Sequence, residues 1–117
     1  MELQYAELDN GIRLITLIGI LDMQGTFSVE VQFARHCSGD GVRVLVDLSK
    51  VTYLSSIGIP MLINTARSVA SQGGKMGLLG PIYDVHRVLD ITGVTQIIPI
   101  YHDFDTAVAE ILKEPLA

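Results

Sequence analysis

Apolar positions along the chain alternate between strand-like runs and helical spacing, and the switches mark the elements. Gln4 to Leu8 and Ile12 to Ile20 read as strands separated by Asp9-Asn10-Gly11. Asn-Gly between two apolar runs is a strong hairpin signal, because a type I′ turn needs positive φ at both central positions. Thr26 to His36 reads as a first helix, with Phe27, Val31 and Ala34 at i, i+4 and i+7 as its core face. Val29 and Phe33 fall off that face, as part of a wide buried stripe or as an exposed contact patch. Ser38-Gly39-Asp40-Gly41 is a loop. Val42 to Leu48 is nearly continuous in apolar residues, which suits a parallel strand covered on both faces.

A second helix carries Met61, Leu62, Thr65, Ala66, Val69 and Ala70 at helical spacing and ends at Ser71-Gln72-Gly73-Gly74. Met76 to Leu79 is a strand broken by Gly80-Pro81. Ile82, Val85, Val88 and Leu89 mark a third helix, stopped by Gly93. Thr95 to Ile100 reads as a last strand. A final helix from about Asp105 is expected to bury Val108, Ile111 and Leu112. A hairpin followed by helix–strand alternation predicts one α/β domain over residues 1–117, with a mixed sheet and about four helices.

The chemistry concentrates between the third strand and the second helix, in Leu54-Ser55-Ser56-Ile57-Gly58. Two serines sit where a strand hands over to a helix, at the carboxyl edge of the sheet. The first turn of a helix offers free N–H groups and the positive end of a dipole, so it tolerates an anion. A serine there serves as a cap, or as an acceptor for phosphate. Pro60 lacks an N–H and belongs in a first turn, so regular helix starts late enough to leave Ser56 in the loop or just before the cap. Asp22 and Asp47 are expected at the carboxyl ends of their strands, as caps or as part of a binding surface.

The segment around Ser55-Ser56 resembles the signature of STAS domains, specifically the bacterial anti-sigma factor antagonists. Gly19-Ile20-Leu21-Asp22 resembles the end of their second strand. The run from Gly73-Gly74-Lys75-Met76 to Asp90-Ile91-Thr92-Gly93-Val94 is similar to their fourth strand, third helix and following turn. The family pattern is an aspartate, a phosphorylatable serine, a second hydroxyl residue and a glycine. By resemblance Ser56 takes the place of the phosphorylated serine and Gly58 that of the glycine. Ser55 stands where the aspartate would be, and Ile57 where the second hydroxyl residue would be. The resemblance implies a STAS-like fold, no cofactor and no catalytic residue. It also implies a partner surface made of Asp22, Ser55, Ser56, Ile57 and Gly58. The implied partners are an anti-sigma factor that is a serine kinase, which is released when Ser56 is phosphorylated, and a PP2C-type phosphatase. A weak homodimer is left open. Ser55 in the aspartate's place keeps a second reading in view, a STAS scaffold that is never phosphorylated, such as the cytoplasmic component of a lipid-transport ABC system.

Composition narrows the alternatives. Net charge is −5 with a sequence pI near 4.9, and only eight Lys and Arg are present, which excludes the electrostatic footprint of a nucleic-acid binder. Hydrophobic residues make up 49% of the chain and charged ones 18%, as suits a folded core. The longest apolar uncharged stretch, Leu14 to Leu21, falls far short of the ~20 residues that span a bilayer. The N-terminus has no signal-peptide pattern, and the single Cys37 fits a reducing compartment, so the expected location is the cytoplasm. Gly73-Gly74-Lys75-Met76-Gly77-Leu78-Leu79-Gly80 precedes a strand, the reverse of a phosphate loop, and fails its spacing. His36, His86 and His102 are scattered and predict no metal site. Neither serine sits in a Gly-x-Ser-x-Gly elbow.

Overall fold

The computed structural model describes residues 1–113. It contains strands β1 (Glu2–Glu7), β2 (Arg13–Leu21), β3 (Arg43–Leu54), β4 (Lys75–Leu79) and β5 (Ile100–Tyr101). The helices are α1 (Met23–His36), α2 (Gly58–Ser71), α3 (Tyr83–Ile91) and α4 (Phe104–Leu112). The strands form one sheet in the order β1-β2-β3-β4-β5, with β1 antiparallel to β2 and every other pair parallel. This is the mixed α/β sheet that the pattern of apolar runs predicts.

Alternation along the strands divides the interior in two. Ile15 and Leu17 of β2, Val44, Val46 and Leu48 of β3, and Leu78 of β4 join a large core with α1, α2 and α3. The intervening positions meet α4, where Ile12, Leu45, Ala107 and Ile111 form a second, smaller core. Successive side chains of a strand point to opposite faces, so one continuous apolar run supplies both cores.

Several expectations are corrected. The hairpin is not a type I′ turn, since among the described residues no non-glycine residue has positive φ. Leu8 instead pairs with Ile12 across a three-residue loop. The Gly11 N–H donates to the Leu8 carbonyl at 2.9 Å, and Gly11 itself supplies the one left-handed position at φ +87°. The β3 strand continues past Leu48 to Leu54. The expected strand Thr95–Ile100 is instead a 3-10 turn at Val94–Gln96 followed by the two-residue β5. Pro99 has no N–H to offer a ladder, and only its carbonyl pairs, with the Leu78 N–H. The last helix begins at Phe104, capped by Asp103, whose carboxyl is held below its usual range by the Thr106 N–H and hydroxyl. It buries Ala107 and Ile111, whereas Leu112 faces outward.

The largest correction concerns α1. Phe27 and Val31 are 60% and 65% exposed, while Val29 and Phe33 are 2% and 0% exposed. Both rows are apolar, so periodicity alone does not choose between them. The choice is made at Gly25, which packs so closely on β2 that an added Cβ would lie 2.0 Å from the Ile20 carbonyl oxygen. That contact turns Gly25, Thr26, Val29 and Phe33 inward. The Thr26 hydroxyl is thereby buried with no hydrogen-bond partner among the described residues. An unpaired buried hydroxyl costs roughly 1–3 kcal/mol. Thr26→Val, which has the same shape, is expected to raise stability by about 1 kcal/mol in urea denaturation. A loss of stability would show that the hydroxyl has a partner in solution.

Candidate functional site

Strands β2 and β3 run parallel and end side by side, with Leu21 opposite Leu54 in the ladder. The chain leaves β2 at Asp22 and β3 at Ser55, so the two exits meet at one edge. Asp22 is the N-cap of α1, its carboxylate accepting from the Gly25 N–H at 2.8 Å. Such a cap satisfies one of the free donors of the first turn.

The two serines differ in what they do. The Ser55 N–H and hydroxyl both donate to the Leu21 carbonyl, at 3.0 and 2.9 Å. Its Oγ also accepts from the Ile57 N–H at 3.3 Å, and its carbonyl accepts from the Gly58 N–H at 3.1 Å. Ser55 is therefore a clasp between the β2 and β3 exits. A carboxylate at this position could not donate to the Leu21 carbonyl. Ser56 is exposed, and among the described residues its hydroxyl makes no hydrogen bond. It lies one residue before the N-cap Ile57 of α2, which is 43% exposed and supplies no side-chain cap. Gly58 is buried, and an added Cβ there would lie 2.9 Å from Leu54 Cδ1 and 3.4 Å from Leu21 Cβ. Its contribution is close packing of the helix start rather than an outward contact.

Thus Asp22, Ser55, Ser56, Ile57 and Gly58 come together at one edge. Asp47 does not join them. It lies in the middle of β3, where its carboxylate accepts from the Ser49 N–H at 2.9 Å. This correction follows from the length of β3, which carries the strand's end to Leu54. From Val51 to Ala66 there is no Asp, Glu, Lys, Arg or His, and from Met23 to Ala34 only Glu30 is charged. Apart from Asp22 and Glu30, this edge of a chain of net charge −5 has the depletion of charge found at the cores of protein–protein interfaces. This signal was present in the sequence but emerges only when α1 and α2 are placed side by side.

Away from this edge, burial pushes the Cys37 thiol up to about 12, so it stays protonated and packs as a small apolar group. His86 stacks on His102 with centroids 5.1 Å apart, a pairing across sequence that spacing did not anticipate, and His36 stacks on Tyr5 at 4.0 Å. Among the described residues no group of three or more His, Cys, Asp or Glu could hold a metal ion. No helix among them is long and apolar enough to cross a membrane.

Known proteins share this fold. The STAS domain family matches residues 5–107. The TM1081 homologue of Thermotoga neapolitana is 35% identical over 69 residues, 59% of this chain, and the match spans only 61% of that relative's length. The anti-sigma F factor antagonist of Paenibacillus polymyxa is 26% identical over 110 residues, covering 90% of this chain and 91% of that protein. The anti-sigma factor antagonist SpoIIAA in its unphosphorylated form superposes with a TM-score of 0.75 at 16% identity, covering 96% of this chain and 100% of that one. The phosphorylated form of Bacillus SpoIIAA gives 0.69 at 15% identity, with 94% and 99% covered. A family match over most of the chain, together with a fold shared over 96% of it, establishes that this protein belongs to the STAS domain family.

Proposed function

We propose that this chain is an anti-sigma factor antagonist working by partner switching in the cytoplasm. Unphosphorylated, it binds an anti-sigma factor that is also a serine kinase, through the edge formed by Asp22, Ser55, Ser56, Ile57 and the α2 start that Gly58 packs in place. The sigma factor is then free. Phosphorylation of Ser56 by the kinase ends the complex, and a PP2C-type phosphatase restores it. The relatives named above support the general role, and the solved phosphorylated form of SpoIIAA supports the chemistry by analogy.

The observation that carries the reading is the contrast between the two hydroxyls. That of Ser55 is engaged with the Leu21 carbonyl, while that of Ser56 is exposed and unbonded at the positive end of α2. A phosphate adds about −1.5 to −2 charges, which the α2 N-terminus tolerates within this chain and a neutral partner surface does not. No refolding is required. Incubation with a cognate anti-sigma serine kinase and ATP, followed by mass spectrometry, tests the assignment. Ser56→Ala is expected to lose all labelling, and Ser55→Ala to keep it. Undiminished labelling of Ser56→Ala would overturn the choice of acceptor. No labelling of any form would leave the scaffold reading as the better one.

A further inference from the structure

The inverted face of α1 leaves an apolar row without a partner among the described residues. Met23, Phe27 and Val31, at i, i+4 and i+8, are 53%, 60% and 65% exposed. Beside them runs a groove between α1 and α2. Its first part, about 420 Å³, is lined by Glu30, Val31, Ala34, Met61, Asn64 and Thr65. A second part, about 250 Å³, shares Ala34, Asn64 and Thr65 and continues to Ser68. The groove lies beside the C-terminal half of α1 and the middle of α2, whereas the apolar row starts at Met23, the residue after the Asp22 cap at the edge that carries Ser56.

Resting on the partner-switching reading, we infer that the anti-sigma partner lays an amphipathic helix of its own into this α1–α2 groove, with an uncharged apolar face against Met23, Phe27 and Val31. Three observations select this occupant. The row follows the i±4 ridge of a helix, the surface into which a second helix packs its own ridge. The groove walls carry a single charged group, Glu30, on a chain of net charge −5, so the complementary face is apolar rather than basic. The row also begins at Met23, next to the Asp22 cap of the Ser56 edge, so one partner can cover both. Under this arrangement the row and groove supply affinity, and Ser56 at the start of α2 supplies control.

The test is calorimetric titration of a cognate anti-sigma kinase with wild type, Phe27→Ala, Val31→Ala, Ser56→Asp and Ile91→Ala. Ile91 is 76% exposed on α3, outside the groove, and serves as the control. Phe27→Ala and Val31→Ala are each expected to weaken binding about fivefold with unchanged melting, because both side chains are exposed. Ile91→Ala is expected to bind as wild type does. A photo-crosslinking residue at position 27 is expected to label partner residues spaced three or four apart on one helix. Full affinity in Phe27→Ala and Val31→Ala, alongside weakened Ser56→Asp, would overturn the groove while leaving the Ser56 reading in place. Full affinity in Ser56→Asp alongside weakened groove variants would overturn the Ser56 reading and support the groove. Crosslinks to a loop or strand would overturn the helical occupant, and absence of any binding would overturn both.

Discussion

Gly25→Ala is expected to lower stability by about 3 kcal/mol, a drop on the order of 10 °C in melting midpoint. The residue is helical, so the cost is steric rather than conformational. An added Cβ would lie 2.0 Å from the Ile20 carbonyl oxygen, 3.1 Å from its carbon and 3.2 Å from Asp22 Oδ1. Two of those atoms are backbone and cannot rotate away, so the start of α1 must move off β2. That movement also disturbs the Asp22 cap, since the Gly25 N–H is its donor. Gly73→Ala is the comparison. Gly73 has φ +79° but nothing within 4 Å, so its substitution costs only left-handed strain of about 1–2 kcal/mol. Thermal unfolding of both variants checks the ordering. An equal or smaller loss for Gly25→Ala would mean that α1 sits farther from the sheet.

Ser56→Asp is expected to weaken binding of the anti-sigma partner by roughly thirtyfold, about 2 kcal/mol, with the fold unchanged. Within the chain the new carboxylate sits just before the N-terminus of α2, where a negative charge is favourable by about 0.3–1 kcal/mol. The first turn of α2 holds no acidic residue to oppose it. Against a partner the same charge enters a segment with no Asp, Glu, Lys, Arg or His from Val51 to Ala66. A buried unpaired charge is costly, and a like charge across the contact is costlier still. Circular dichroism alongside the titration separates a lost interface from a lost fold. Unchanged affinity would place residue 56 outside the contact.

Much of this was legible in the residues themselves. The order of strands and helices followed from the switch between alternating and helical apolar spacing, and the Ser55-Ser56 loop stood out because it joins a strand to a helix. What periodicity could not decide was which of two apolar rows on α1 faces the core. Phe27 and Val31 are spaced as regularly as Val29 and Phe33, and the decision lies in the contact of Gly25 with Ile20. The strand expected from Thr95 to Ile100 failed because Pro99 interrupts its hydrogen bonding at the point where it meets β4. The difference between Ser55 and Ser56 depends on the Leu21 carbonyl, 34 residues from Ser55, and no local pattern announces it. Asp47 was placed at a strand end because the apolar run stops at Leu48, whereas β3 continues through the polar Ser49-Lys50 as part of the same ladder.

Titration of the anti-sigma kinase with this chain, unmodified and then stoichiometrically phosphorylated at Ser56, tests the switch most directly. Phosphate carries more charge than aspartate, so the expected loss is larger, about a hundredfold or 3 kcal/mol, with identical circular dichroism for the two forms. Equal affinity of the two forms would contradict a switch at Ser56.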